Sequence, residues 1–154
     1  MEIRKAEIGD EEILAKQFWH PLAKQMEDYH PANKLKEDAA EEGVGEFRER
    51  IENNKYSFYF LEDDEMEIGY ISIEKGDRVS RKLDKYIEIL GLYVKKGFRG
   101  QGYGTKLIEK AREIAKDLEA DYITVSAEWK NEEARKFYKE KGFEEKQVEF
   151  VQVV

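Results

Sequence analysis

The segment with the clearest chemical capacity is Val94-Lys95-Lys96-Gly97-Phe98-Arg99-Gly100-Gln101-Gly102-Tyr103-Gly104-Thr105, a glycine-rich turn that leaves a β-prone run and enters a helical one. A helix N-terminus leaves its first amide hydrogens without partners. Aligned peptide dipoles add roughly half a positive charge there, so an anion binds favourably. Gly100, Gly102 and Gly104 allow a ligand to approach the backbone without side-chain obstruction. Arg99 places a permanent cation just ahead of those amides, matched to a diphosphate better than to a single carboxylate. Gln101, Tyr103 and Thr105 belong to the same turn and join it as phosphate-side candidates. The spacing Gly100-x-Gly102-x-Gly104 is not the Gly-x-Gly-x-x-Gly of a dinucleotide site, and no Gly-Lys-Ser/Thr ending makes a triphosphate loop. A plain strand-to-helix connection is the competing reading, and three alternating glycines behind an arginine weigh against it.

The elements that must position this turn follow from periodicity. Tyr86 to Val94 reads as a buried strand, with Gly91 in its middle suggesting a bulge. Glu88 is a charged residue inside that otherwise apolar run, which is costly unless its side chain faces a wet slot. Residues 105 to 118 place Leu107, Ile108, Ala111, Ile114, Ala115 and Leu118 on one helical stripe. Asp121 to Ser126 reads as a strand, Asn131 to Lys141 as a helix closed by Gly142, and Gln147 to Val154 as a terminal strand. Upstream, residues 2 to 8 suit a short strand ending at Gly9-Asp10, with Asp10 capping a helix from Glu11 to about His20 that Pro21 interrupts or restarts. A second helical stretch follows His30-Pro31 and ends near Asn53-Asn54. Tyr56 to Leu61 and Glu67 to Ile73 form an antiparallel hairpin around the acidic Glu62-Asp63-Asp64-Glu65, and Lys75 to Lys85 is a polar connection. The order strand, helix, strand, helix, strand in the C-terminal half implies crossover units on a mixed sheet, an α/β (α+β) fold.

The whole chain bounds what this architecture can do. Its 154 residues fit one domain, 1–154, long enough to bury a core without disulfides or metal. Cysteine is absent, which excludes a disulfide framework, a thiolate metal site and a cysteine acyl-enzyme. His20 and His30 have no recognised metal spacing, so no metal is expected. The start of the chain lacks a signal-like apolar run, and nothing approaches the ~18 apolar residues of a membrane span, so a cytoplasmic protein without membrane contact is expected. A net charge of -8, with 40% charged residues, argues against a nucleic-acid partner and suits cationic amines, although solubility explains it equally well. The abundance of Lys and Glu over thermolabile amides is thermophile-like.

Two motifs carry a family resemblance. Arg99-x-x-Gly102-x-Gly104 resembles the Q/R-x-x-G-x-G/A acetyl-CoA signature of the GNAT (GCN5-related) N-acetyltransferases, and it follows a strand ending in Leu92-Tyr93-Val94. Asn131-Glu132-Glu133-Ala134-Arg135-Lys136-Phe137-Tyr138-Lys139-Glu140-Lys141-Gly142-Phe143 is similar to the family's second hallmark, N-x-x-A-x-x-F-Y-x-x-x-G-F. The resemblance is strong over residues 86 to 143 and a matter of pattern before residue 75, where the family usually shapes its acceptor site. It implies a mostly antiparallel sheet with one splayed parallel pair, formed by the strands at 86 to 94 and 121 to 126, flanked by about four helices.

The resemblance also implies roles. Backbone amides near Leu92, Tyr93 and Val94 would hold the pantetheine arm and the thioester carbonyl, while Asn131, a natural helix N-cap, would contact coenzyme A. Tyr138 resembles the family's general acid, which protonates the leaving thiolate; a core tyrosine is its plainer reading. An acceptor ammonium has a solution pKa of ~10.4 and must lose a proton before attack. Glu88 is the carboxylate best placed to take it, directly or through water. Acetyl-CoA is then the cosubstrate, an amine-bearing small molecule or protein the acceptor, and direct attack in a ternary complex the mechanism. A non-catalytic acyl-CoA-binding sensor or regulatory module is the alternative, and a purely structural interaction domain a third. The apolar tail Val148-Phe150-Val151-Val153-Val154 is expected to finish the sheet or to pair with a second subunit as a homodimer.

Overall fold

The computed structural model describes residues 1–154. A five-stranded sheet in the order β1-β2-β3-β4-β5 forms its centre. The strands are β1 (Glu2–Lys5), β2 (Tyr56–Asp63), β3 (Met66–Asp77), β4 (Lys85–Val94) and β5 (Tyr122–Val125). The first four are antiparallel neighbours, and β5 lies parallel to β4, as its connection through a crossover helix requires. The α helices are α1 (His20–Met26), α2 (Ala39–Glu52), α3 (Tyr103–Asp117) and α4 (Glu132–Glu140). No helix is long and apolar enough to cross a membrane.

Two apolar cores lie on opposite faces of the sheet. On one face Leu107, Ile108, Ala111 and Ala115 of α3 pack on Ile71 and Ile73 of β3 and Ile87 and Ile89 of β4, with Phe137, Tyr138 and Phe143 partly buried against them. On the other, Leu14, Ala15 and Phe18 of the first helical segment and Phe47 of α2 cover Phe58, Phe60, Tyr70 and Tyr93. A bulge in β4 allows one strand to serve both. Ser72 of β3 pairs with Gly91 and Ile73 with Ile89, so Leu90 is the extra residue. It shifts the two-residue alternation by one, and Tyr93 faces the core opposite to Ile87 and Ile89. Gly91 is required beside it, because a Cβ there would lie 2.7 Å from the Tyr70 hydroxyl.

Several local expectations are modified. Asp10 starts the first helix through its carbonyl, which accepts from the Leu14 amide at 3.0 Å. Its carboxylate does not cap that helix; it accepts from the Glu7 amide at 2.9 Å and from Arg4 at 2.8 Å. Residues Ile13–Trp19 are π-helical, and the His20 amide reaches back five residues to Ala15 O before α1 begins with Pro21 in its first turn. Pro21 has no N–H for position 17 and its ring crowds that carbonyl, so the wider turn ahead of it relieves both problems. The stretch after His30-Pro31 splits into a 3-10 turn, Pro31–Asn33, and α2. β3 runs on through Asp77, into the expected polar connection. The terminal strand expected at Gln147 to Val154 is not formed: that stretch is exposed and belongs to no strand. Its apolar residues stay exposed and its backbone makes no hydrogen bond.

Candidate functional site

The parallel pairing of β4 with β5 ends at Ile89 opposite Val125. From Leu90 onward β4 is paired only with β3, so its other backbone edge is open. The bulge and the early end of β5 together produce a wedge between the strands, and the cavity at this wedge has a volume of about 770 Å³. Leu92, Tyr93 and Val94 line it on one side, and Val125, Ser126 and Asn131 on the other.

At one end of the cavity lies the glycine turn. Gly100 and Gly102 have φ of +76° and +82°, the left-handed region that a β-branched side chain adopts only under strain, and the space where a Cβ would stand is open at both. Gly102 is the N-cap of α3, and no side chain caps that helix. The first α3 amide engaged by the chain itself is that of Lys106, on Gly102 O at 3.2 Å, which leaves the N–H groups of Tyr103, Gly104 and Thr105 unspent. All three residues line the cavity, as do Arg99, Gly100 and Gly102; Gln101 does not. The Arg99 Nε donates to Val94 O at 2.8 Å and its guanidinium lies over the Tyr93 ring, so this side chain also ties the turn to the strand it leaves. Gly104 serves packing as well as access: a Cβ there would meet the Phe137 ring at 3.2 Å, so it sets how closely α4 approaches α3.

Asn131 is the N-cap of α4, its side-chain oxygen accepting from the Ala134 amide at 3.1 Å. Seven residues on, Tyr138 lines the same cavity, its ring edge-on to Phe137 and Phe143. Burial pushes its hydroxyl up to about 12, so it holds its proton at neutral pH. No buried side-chain polar atom in the protein lacks a partner, and the Tyr138 hydroxyl has none within the chain; it is therefore open to the cavity.

Glu88 stands elsewhere. It lies below the bulge, opposite Glu74 of β3 and Thr124 of β5, half-buried, and it is not part of the cavity wall. Glu74 is itself held by Lys55 at 2.8 Å. On the part of the wall formed by α1, the turn after it and the residues after β5, the carboxylates are Asp28 and Glu128. Glu128, which follows β5, accepts a hydrogen bond from the Asn33 side-chain amide, which also donates to Met26 O at 3.0 Å. Leu22, Met26 and Tyr29 complete this wall from α1 and the turn after it. Nothing local in the sequence marks Glu128 or Asn33, because 95 positions separate them. No group of three or more His, Cys, Asp or Glu is arranged to hold a metal ion.

Comparison with known proteins places the chain in a family and a fold. The model of the acetyltransferase (GNAT) family matches residues 19–143, and the chain belongs to that family. It is 30% identical over 102 residues to an uncharacterized N-acetyltransferase of Methanocaldococcus jannaschii, an alignment that covers 66% of this chain and 45% of that one. The chain spans about half the length of the curated relatives it matches. Among solved structures, the tetramutant of a Bacillus halodurans protein superposes with a TM-score of 0.86 at 20% identity, over 99% of this chain and 100% of that one. A predicted acetyltransferase of Clostridium acetobutylicum, crystallised with acetyl-CoA, gives 0.75 at 22% identity, over 99% and 95%. These two likenesses establish the fold, a mixed sheet with one parallel pair flanked by four helices.

Proposed function

We propose that the protein is an N-acetyltransferase that moves an acetyl group from acetyl-CoA to a primary amine by direct attack in a ternary complex. The observation that carries this reading is the set of unspent amides at Tyr103, Gly104 and Thr105, which border the same cavity as the Tyr138 hydroxyl. The diphosphate of coenzyme A would be held by those amides and by the terminal nitrogens of Arg99, and the pantetheine arm would lie along the open edge of β4 from Leu92 through Val94. Gln101, exposed at the tip of the turn, would contribute through its backbone alone. Asn131, whose oxygen caps α4 and which lines the cavity, would offer its amide nitrogen to the cofactor.

In the reaction the acceptor nitrogen bonds to the thioester carbon and the carbon–sulfur bond breaks. The sulfur leaves with the proton of the Tyr138 hydroxyl, and the surplus proton of the nitrogen passes to a carboxylate. A β4 amide directed at the carbonyl oxygen would stabilise its developing charge, a contribution of about 3 kcal/mol. Glu88, off the cavity wall, would act through water. Glu128 on the wall is its rival, and pH–rate profiles of Glu88→Gln and Glu128→Gln assign the step to the variant that loses its acid limb.

The position of Glu88 also favours a second reading, an acyl-CoA-binding module without chemistry. A panel of small amines and peptides with a thiol-release readout separates the two. Release above the hydrolysis background for any acceptor establishes transfer, whereas saturable acetyl-CoA binding with no release across the panel favours the sensor.

A further inference from the structure

Charge is sorted along the cavity wall. The cations that line it, Arg99, Lys136 and Lys141, belong to the glycine turn and to α4 with its C-cap. The part built by α1, the turn after it and the residues after β5 carries two carboxylates, Asp28 and Glu128, and no lysine or arginine. Neither carboxylate takes part in an ion pair of the chain. Lys24 of α1 is taken by Glu27 at 2.8 Å, and the side-chain partner of Glu128 is the neutral amide of Asn33. A ligand that seats here and displaces water leaves these carboxylates in an unfavourable position unless it brings a cation. Leu22, Met26 and Tyr29 give the same part of the wall an apolar surface.

A buried hydroxyl lies under this region. Tyr70 is 1% exposed and its hydroxyl makes no hydrogen bond within the chain, yet no buried side-chain polar atom lacks a partner; the hydroxyl therefore opens outward from the core. It lies at Gly91, whose Cβ would stand 2.7 Å from it and 3.3 Å from Leu22, and both Gly91 and Leu22 line the cavity. Burial raises its pKa, so it stays neutral and its oxygen remains a hydrogen-bond acceptor.

The attacking amine cannot be the cation that satisfies this wall. It must be uncharged to bond to the thioester carbon, and one carboxylate is enough to take its proton. The charge that Asp28 and Glu128 face is one that stays on the substrate throughout. We propose, on the basis of the transfer reading, that the acceptor is a linear aliphatic diamine or polyamine. One end is acetylated, and a second ammonium, which takes no part in the bond changes, is held by Asp28, Glu128 and the Tyr70 oxygen while the methylenes between lie on Leu22, Met26 and Tyr29. An acceptor with a carboxylate in the second position is repelled by the same two residues.

Three probes of similar length separate the second charge from the amine: n-butylamine, γ-aminobutyrate and putrescine. Thiol release should give a kcat/KM for putrescine about 30-fold or more above that for n-butylamine, the scale of a desolvated charge pair, with γ-aminobutyrate below both. In Asp28→Asn and in Glu128→Gln the ratio of putrescine to n-butylamine should fall by about tenfold, as for the loss of a hydrogen bond to a charged group. The ratio cancels any effect on proton transfer, which both amines share. Equal kcat/KM for the two amines, a ratio that neither variant changes, or a basic peptide preferred to putrescine overturns the proposal and leaves transfer itself in place. Calorimetry of putrescine with the coenzyme A-loaded protein reads the contact without chemistry, and saturable binding that weakens in both variants is expected. Such binding with no thiol release from any acceptor would sink the transfer reading and keep the cation site; the absence of saturable binding overturns the site.

Discussion

The two walls of the cavity are built by different means. The wall we assign to the cofactor comes from one stretch of chain: the end of β4, the glycine turn and the first turn of α3, all between Leu92 and Thr105. Its polar groups are peptide N–H groups whose positions follow from the secondary structure itself. The wall we assign to the acceptor is assembled from side chains far apart in sequence: Asp28 and Glu128 both line it, and Asn33, outside the lining, donates to Glu128. A wall of backbone recognises an invariant anion, whereas a wall of side chains can be changed one residue at a time to suit a particular amine. Substitutions on the two walls are therefore expected to separate cofactor binding and turnover from acceptor binding.

The largest effect is expected at Tyr138, the proposed general acid. Tyr138→Phe should lower kcat by two to three orders of magnitude, about what a positioned general acid contributes, with acetyl-CoA affinity unchanged within about threefold. Equal turnover in the two proteins would remove this residue from the mechanism. Next is Gly102→Val, which places a β-branched side chain at φ +82° and at the mouth of the amide cluster. Calorimetry should show acetyl-CoA binding weakened by about 100-fold or more, the loss of roughly two charge-assisted hydrogen bonds, while circular dichroism confirms that the fold persists. On the opposite wall, Asn33→Ala frees Glu128 and should raise the KM for the amine by about tenfold, the scale of one hydrogen bond to a charged group, leaving the KM for acetyl-CoA in place. An equal change in both constants would mean that the walls are not separable.

Two titrations, one at the cavity and one away from it, have smaller effects. The neutral Tyr138 hydroxyl is favoured by burial on the cofactor side, so the folded protein binds a proton that the unfolded chain has released between about pH 10 and about pH 12. Its stabilising contribution is complete below the unfolded value and is lost as pH rises through that window. Absorbance of ionised tyrosine should show Tyr70 and Tyr138, of the nine tyrosines, responding last. Away from the cavity, Glu11 pins the first helix to α2. Arg48 bonded to its carboxylate, and then the Gly9 amide, hold it below the usual range. That contribution is present above the unfolded carboxylate value and lost as pH falls through the lowered one. Arg48→Met should therefore begin acid unfolding at a higher pH than the parent.

What the sequence disclosed follows the same division. The order of elements through α4, the bulge near Gly91, the stripe of α3 and the N-cap at Asn131 are local consequences of spacing, and the structure contains each of them. The glycine turn with its free amides was legible for the same reason, since an uncapped helix start requires only neighbours in the chain. The Asn33–Glu128 contact and the entry of Leu22 and Met26 into the wall depend on how α1 lies across the sheet, which no window of residues records. The direction of Glu88 depended on a bulge of one residue, and Leu90 as the extra residue leaves it off the wall. The tail was read correctly as β-prone but wrongly as a formed strand, because pairing needs an edge as well as a propensity.

The central claim is that the amides opening α3 hold the diphosphate of acetyl-CoA, and titration of ¹⁵N-labelled protein followed by amide chemical shifts tests it most directly. The account predicts saturable shifts that are largest from Gly100 through Lys106 and that collapse in Gly102→Val. Saturable binding that leaves those resonances still while others move would contradict it, as would the absence of any saturable change.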